Sequence, residues 1–335
     1  MRAILSPVAS GNGAFVVHKN LESRINGYSV TAYNPYRTLF PPSLYSAGRS
    51  NRADLIHTTP DYACFHYKEN VPMILTFHGF TLDRYLEKYS SFLQNIHCRT
   101  DLRWFTQRSI RLANQITAVS HFTAQLVERE LQPSKSIKVI YNGIDERNFT
   151  PARDKKSRDR IKVLFSGNLT TRKGAHWLLP IVERLNPNID IYYTSGLRGK
   201  GSLLDHPRLF NVGLVEYAQM PSLYQSMDLL LFPTVREGFG LAAAEAMGCA
   251  LPVVASNCSA LPELIDSGKG GFLCKVGDVD DFAEKINVLA EDKILRKEMG
   301  DYNRSKVERL FTMDRMVKEY QCLFESVMND FYTQR

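Results

Sequence analysis

No stretch of this sequence offers the roughly 20 uninterrupted apolar residues that a membrane-spanning helix needs. The apolar run near the start, within MRAILSPVASGNG, is too short for a signal peptide, so the expected setting is the cytoplasm. Cysteine is scarce. Cys64, Cys98, Cys249, Cys258, Cys274 and Cys322 form no C-x-x-C pair and show no metal-ligand spacing. This argues against a zinc site or a disulfide framework, and buried free thiols of a reducing compartment are expected. The signature G-x-x-x-x-G-K-[ST] is absent, which excludes a P-loop. There is no short-period repeat, no low-complexity segment and no nucleic-acid reading motif.

What the chain does have is length. Its 335 residues exceed one ordinary core and suit two domains of roughly 150 residues each. A hydrophobic content of 44% and a charged content of 23% are those of an ordinary globular protein. The net charge of +7 is uneven: residues 1–150 carry 17 Lys and Arg against 11 Asp and Glu, and residues 151–335 carry 25 against 24. A basic first half suits an anionic partner such as a phosphate, a nucleic acid or an acidic membrane surface, although solvated side chains with no role are the commoner explanation.

Short β-branched runs alternate with helical stretches through both halves. RAILSPV, YSVTAYN, ADLIHTT, VPMILTFHG, QITAVS and SIKVIYNG read as strands of the first half; KVLFSGN, DIYYTSG, LFNVGLV, DLLLFPT, LPVVAS and GFLCKVG recur in the second. Such alternation implies parallel sheets covered by helices, so the expected fold is α/β, with two Rossmann-like doubly wound lobes facing across a cleft. The polar stretch TPARDKKSRDRIK, Thr150 to Lys162, reads as the linker, giving lobes 1–155 and 156–310. Met313, Met316, Tyr320, Leu323, Phe324, Val327 and Phe331 recur at helical spacing, so 311–335 is expected to be a helix that crosses back to the first lobe. Helical spacing also runs from Arg99 to Ile116, with Leu102, Phe105, Ile110, Leu112 and Ile116 on one face and Arg103, Trp104, Arg108 and Arg111 on the other.

Ligands of doubly wound sheets bind beyond the carboxyl ends of the strands, so the loops there carry the functional signal. After the first strand, Gly11 and Gly13 let the backbone approach a phosphate at a helix N-terminus. A dinucleotide site would need a third glycine near Val16 and an acidic residue about twenty positions on, and neither is present, which argues against NAD. His78 ends the strand MILTF, where its neutral-range pKa suits a contact to a substrate hydroxyl or carbonyl; a capped or half-buried histidine is the plainer alternative. In GNLTTRKG, Arg172 and Lys173 set two cations where a diphosphate would sit, with a solvated basic turn as the alternative.

The stretch REGFGLAAAEAMG holds two glutamates eight positions apart, Glu237 in a turn after a buried strand and Glu245 inside the next helix. Eight helical residues would separate them by roughly 12 Å. The roughly 5 Å of a retaining glycosidase pair is out of reach, so the two acids are expected to grip different parts of one extended ligand. The amides of Gly238, Phe239, Gly240 and Leu241 lie between them at a helix N-terminus, suited to an anion.

These residues resemble the signature of retaining glycosyltransferases of family 4, the group 1 glycosyl transferases of GT-B fold. Glu237-Gly-Phe-Gly-Leu with Glu245, then GCALPVVAS and LPELI, carry the resemblance. VIYNGID, AVSHFTAQL, GNLTTRKG, FNVGLVEYAQMPSLYQSMDLLLFPT and GGFLCKVGDVDDFAEKI extend it in the same order. It spans nearly the whole second lobe and scattered parts of the first.

The resemblance implies transfer of a hexose-type sugar from a nucleotide-diphosphate sugar to a hydroxyl of a glycan, glycolipid or lipid-linked acceptor. The setting would be cell-surface polysaccharide, lipopolysaccharide or glycoconjugate biosynthesis. Glu237 would hold the donor sugar, and the amides of Gly238 to Leu241 would lie near sugar and phosphate. Glu245 would hold the ribose, and the stretch containing Val215 and Glu216 the nucleoside. Arg172 and Lys173 would stabilise the departing diphosphate, on which Gly13 would close, and His78 would sit at the sugar's reacting face. No cofactor and no metal are expected, because the leaving phosphate takes the acceptor's proton. Many members carry arginine where this chain has Asn168, which puts the burden of the phosphates on Arg172 and Lys173. The first lobe is also short for the family.

Two alternatives use the same fold: a nucleotide-sugar epimerase, whose own acid and histidine pattern is missing, and a non-catalytic sugar-nucleotide-binding partner subunit. The basic first lobe and the 99–116 segment could also rest the protein on the anionic cytoplasmic face of an inner membrane, with core packing as the alternative.

Overall fold

The structure, a computed structural model, describes residues 2–48, 52–153, 159–195 and 205–333. Residues 154–158 of the expected linker, and with them position 155, lie outside the described residues. The chain divides into two compact units, Met1–Asn142 with Asp314–Arg335, and Gly143–Met313.

The first unit is built on six parallel strands, β1 (Ile4–Ala9), β2 (Tyr28–Tyr33), β3 (Leu55–Thr58), β4 (Met73–Phe77), β5 (Gln115–Ala118) and β6 (Ile137–Val139), in the order β2-β1-β3-β4-β5-β6. Four helices of this unit are α1 (Gly13–Glu22), α2 (Phe92–His97), α3 (Arg103–Leu112) and α4 (His121–Leu131). Strands β3 and β4 are buried along their whole length, the condition under which a parallel strand becomes an almost continuous apolar run.

The helix expected from Arg99 to Ile116 is shorter. A wide turn over Cys98–Leu102 leads into α3, and Ile116 belongs to β5. Ala113 is extended and ends the helix, and Asn114 then clamps Met73 from both sides: its amide reaches the Met73 carbonyl at 2.7 Å and its side chain accepts from the Met73 amide at 2.9 Å. Sheet pairing overrides the helical periodicity there.

The second unit repeats the plan with β7 (Ile161–Phe165), β8 (Ile189–Thr194), β9 (Leu209–Gly213), β10 (Leu229–Phe232), β11 (Val253–Ser256) and β12 (Gly271–Cys274), ordered β12-β11-β10-β7-β8-β9 and all parallel. Its helices include α5 (Leu178–Arg184), α6 (Met220–Gln225), α7 (Leu241–Gly248), α8 (Leu261–Leu264), α9 (Val279–Glu291) and α10 (Lys293–Leu310). The last helix, α11 (Met313–Thr333), returns from Asp314 onward to the first unit. There it buries Met316, Tyr320, Leu323, Phe324 and Val327, and Phe324 stacks on Tyr28 of β2 at 6.0 Å between centroids.

Both sheets have a point where the strand order reverses direction, β1/β3 in the first and β7/β10 in the second. The loops after β1, β7 and β10 therefore open at the positions where doubly wound sheets take ligands.

Candidate active site

The turn after β7 and the turn after β10 are joined backbone to backbone. Val235 donates its amide to the Arg172 carbonyl at 3.0 Å, and Thr234 Oγ1 donates to the same oxygen at 3.2 Å. Gly174 makes this approach possible. Its φ is +78°, and a Cβ there would lie 2.1 Å from the Pro233 carbonyl oxygen.

That juncture brings Lys173 Nζ to 2.5 Å from Glu237 Oε1, while Thr234 Oγ1 donates to the same carboxylate at 2.9 Å. Arg172 Nη1 donates to the Arg236 carbonyl at 3.1 Å, which keeps the guanidinium at the corner. Burial pushes the Glu237 carboxyl upward, but the Lys173 ammonium, the Arg172 guanidinium and the hydrogen bonds together outweigh it and hold the group below its ordinary value. The Glu237 amide donates to Ser259 Oγ at 2.9 Å, and Ser259 itself sits in the left-handed region at φ 51°. A non-glycine residue held there costs on the order of 1–3 kcal/mol, so the anchor of the corner is a strained residue kept in place by its surroundings.

After Glu237 the chain turns through Gly238 and the buried Phe239, whose ring packs edge-on against Phe311 at 5.5 Å. Gly240, at φ +104°, then starts α7 with no side-chain cap and no acidic residue in the first turn. The first-turn amides, Leu241's among them, are thus presented with the helix's positive end and no carboxylate of their own helix's first turn beside them.

Glu245 lies on α7 and is buried, not at the corner. The Tyr224 hydroxyl donates to its Oε2 at 3.1 Å and lies 3.2 Å from Ser166 Oγ at the end of β7; the Tyr217 hydroxyl is a second hydrogen-bond partner. Burial raises the Glu245 carboxyl to about 7, only partly offset by these two phenols. The two glutamates thus have separate hydrogen-bond partners. Asn168 lies in the turn between β7 and Lys173 and gives its carbonyl to the Thr170 amide at 2.8 Å. Val215 and Glu216 follow β9, with Glu216 exposed ahead of Tyr217.

In the first unit, Gly11 takes φ +78° and Gly13 opens α1, whose N-terminus is capped by the Asn12 side chain accepting from the Phe15 amide at 2.8 Å. A side chain at either glycine would meet no described residue within 4 Å, which leaves room beside this turn. His78 follows β4 and is half-buried; its Nε2 lies 3.1 Å from His18 Nε2, and burial lowers its pKa to about 3.

Sequence reasoning missed the residues that stand behind these groups: Thr234 and Ser259 around Glu237, Tyr217 and Tyr224 around Glu245, and His18, Tyr28 and His57 behind His78. One signal was present for the last set, since a histidine within the otherwise apolar strand LIHTT must find a buried partner. Among the described residues no cysteine forms a disulfide; Cys64, Cys249 and Cys274 are buried, and Cys322 is exposed.

The architecture of two parallel six-stranded units is that of GT-B glycosyltransferases. A sucrose-phosphate synthase from Thermosynechococcus elongatus superposes with a TM-score of 0.84 at 17% identity, covering 98% of this chain and 100% of that one. The HepE protein of Anabaena, solved in complex with UDP-glucose, superposes with a TM-score of 0.78 at 19% identity, covering 97% and 100%. The family models "Glycosyltransferase Family 4" and "Glycosyl transferases group 1" match residues 6–148 and 160–292. The chain belongs to this family and is a glycosyltransferase. Among its relatives, the N-acetyl-alpha-D-glucosaminyl L-malate synthase of Bacillus anthracis is 24% identical over 92% of this chain and 84% of its own length. The capsular polysaccharide biosynthesis glycosyltransferase CapM of Staphylococcus aureus is 27% identical over 56% of this chain and 52% of its own. No helix among the described residues is long and apolar enough to cross a membrane.

Proposed function

We propose that this glycosyltransferase moves a hexose-type sugar, with retention of anomeric configuration and without a metal, from a nucleotide-diphosphate sugar to a hydroxyl of a glycan, glycolipid or lipid-linked acceptor. The observation that carries the proposal is the Lys173–Glu237 pair, with Arg172 beside it, next to the uncapped start of α7. Two cations and a free helix N-terminus suit a diphosphate, and an ionised carboxylate suits the hydroxyls of a sugar. The names of the malate synthase and of CapM, and the UDP-glucose bound to HepE, support the donor class and a place in polysaccharide or glycoconjugate biosynthesis.

Each residue then has one task. Arg172 and Lys173 neutralise the diphosphate as the bond from the anomeric carbon to its oxygen breaks, helped by the amides of Gly238, Phe239, Gly240 and Leu241. Glu237 accepts from the sugar hydroxyls. Glu245 accepts from the ribose, and Val215 and Glu216 flank the nucleoside. Asn168 lines the phosphate turn, Gly11 and Gly13 admit the phosphates, and His78 contacts the sugar. The acceptor hydroxyl bonds to the anomeric carbon from the face the phosphate leaves, and its proton goes to the leaving phosphate oxygen. Catalysis rests on positioning and charge stabilisation. A separate pocket of about 700 Å³ in the first unit, lined by Asp83, Arg84, Glu87 and Arg103 among others, offers polar groups to an acceptor.

The deciding experiment incubates the protein with a panel of nucleotide sugars, with and without simple hydroxyl acceptors, and reads the anomeric configuration of the product by NMR. A product with the donor's configuration supports the proposal, and inversion contradicts it. A changed sugar in the absence of acceptor would instead mark an epimerase, and tight nucleotide binding without turnover a partner subunit.

A further reading places the first unit on an anionic membrane surface, where a lipid-linked acceptor is found. Phe92 and Leu93 of α2 are 78% and 76% exposed, and Trp104 is exposed beside Arg108, whose guanidinium lies 5.5 Å from the indole centroid. Apolar side chains next to arginines fit the headgroup region of such a bilayer.

A further inference from the structure

Three histidines meet inside the first unit, on α1, on β3 and after β4. His78 Nε2 lies 3.1 Å from His18 Nε2, and His18 Nδ1 lies 2.7 Å from Ser6 Oγ and 2.8 Å from the Tyr28 hydroxyl. That hydroxyl lies 2.7 Å from His57 Nδ1, and His57 Nε2 lies 2.7 Å from Thr76 Oγ1. Thr76 Oγ1 meets Thr117 Oγ1 at 2.6 Å and the Tyr320 hydroxyl of α11 at 3.3 Å. His18, His57, Ser6, Thr76 and Thr117 are wholly buried, and the rings of His18 and His57 stack at 4.6 Å.

Burial lowers the pKa of all three imidazoles, and repulsion from His57 and His78 adds to it at His18, so each ring is neutral and carries one proton. A neutral imidazole donates at one nitrogen and accepts at the other. The chain of contacts therefore has two self-consistent directions. In one, Tyr28 donates to His18 Nδ1, His18 donates through Nε2 to His78, and His78 Nδ1 is left as an N–H. In the other every bond is reversed, and His78 Nδ1 is left as a bare acceptor. That nitrogen is buried and has no hydrogen-bond partner among the described residues.

We propose that His18, backed by Tyr28 and His57, is a positioning residue that holds the His78 ring in one orientation and one tautomer, so that Nδ1 offers the donor sugar a single hydrogen-bonding sense. The inference rests on His78 contacting the sugar. A ring fixed from behind reaches the reacting sugar already oriented, and the oriented state is what a transferase of this kind needs of its contacts.

The test pairs kinetics with 15N-histidine NMR on the full chain. The wild-type protein should show one neutral tautomer at His78. The His18→Leu variant should show a mixture, with kcat for transfer lowered about tenfold and KM for the donor changed less than about twofold. The His18→Gln variant, whose amide can still reach His78, should recover most of the rate. Tyr28→Phe removes one hydroxyl and keeps the ring, so it should mix the tautomers with a smaller loss of kcat, and it serves where His18→Leu does not fold. A folded His18→Leu or Tyr28→Phe protein with one His78 tautomer overturns the inference, whether or not its rate falls. Wild-type transfer by His78→Ala would instead overturn the placement of His78 at the sugar.

Discussion

At the end of β10 the second unit gathers charge, and two turns further along, inside α7, it excludes charge. Glu237 is partly buried, yet Lys173, Arg172 and Thr234 hold it ionised. Glu245 takes hydrogen bonds from the phenols of Tyr217 and Tyr224, and burial lifts its carboxyl to about 7. The same functional group thus becomes a fixed anion in one place and a group poised near neutrality in the other. Preorganised opposite charges are stabilising where they match a developing charge, so the first environment suits the reacting end of a donor. The second suits a neutral, hydroxyl-rich end, where the ligand itself supplies the donors that favour the ionised carboxylate.

The comparison breaks most sharply at the corner. Replacing Lys173 by Ala, or Glu237 by Gln, should lower kcat for transfer by about two to three orders of magnitude with the fold intact by circular dichroism. Near-wild-type rates in both variants would remove the corner from the reaction. Glu245→Gln should act on binding instead, weakening nucleotide affinity about tenfold or more, as expected when a charge-assisted acceptor is lost, with a smaller effect on kcat. Isothermal titration calorimetry separates the two patterns.

Glu245 also makes a stability prediction. Its folded pKa of about 7 lies above the ordinary carboxyl value of 4.5, so between those pH values the folded chain holds a proton that the unfolded chain has released. This contribution is present at low pH and is lost as pH rises through about 7, to a limit of about 3 kcal/mol. The Glu245→Gln variant, neutral at every pH, should melt several degrees above wild type at pH above about 7, and the gap should close near pH 4.5. A gap independent of pH would mean that Glu245 is not the titrating group. The smallest effect is expected at the membrane: sedimentation with anionic liposomes should fall at high salt and with Phe92→Ser and Leu93→Ser, and salt-insensitive or absent binding would remove the membrane from the account.

Much of the corner was legible in the sequence because its pieces are local. A buried strand, two turn glycines and an alanine-rich helix place Glu237 in a loop and Glu245 in a helix without further information. The pairing of Lys173 with Glu237 was not legible, because it depends on β7 and β10 being neighbours in the sheet although they are far apart in the chain. Strand order is set by packing of whole elements, which local spacing does not encode. The histidine chain was hidden for the same reason: His18, His57 and His78 lie on separate elements, and each alone reads as an ordinary buried or capping residue. The 99–116 periodicity overran its helix because Ile116 satisfies both a helical face and the interior of β5.

The central claim is that the two glutamate environments serve the two ends of one donor. Titrating matched pairs of nucleosides and nucleoside diphosphates into the wild-type, Lys173→Ala and Glu245→Gln proteins tests it most directly. Loss of Lys173 should erase most of the affinity gained from the diphosphate and leave the nucleoside unaffected, while Glu245→Gln should weaken both ligands by the same factor. Equal weakening of nucleoside and diphosphate by Lys173→Ala, or unchanged binding in Glu245→Gln, would contradict the account.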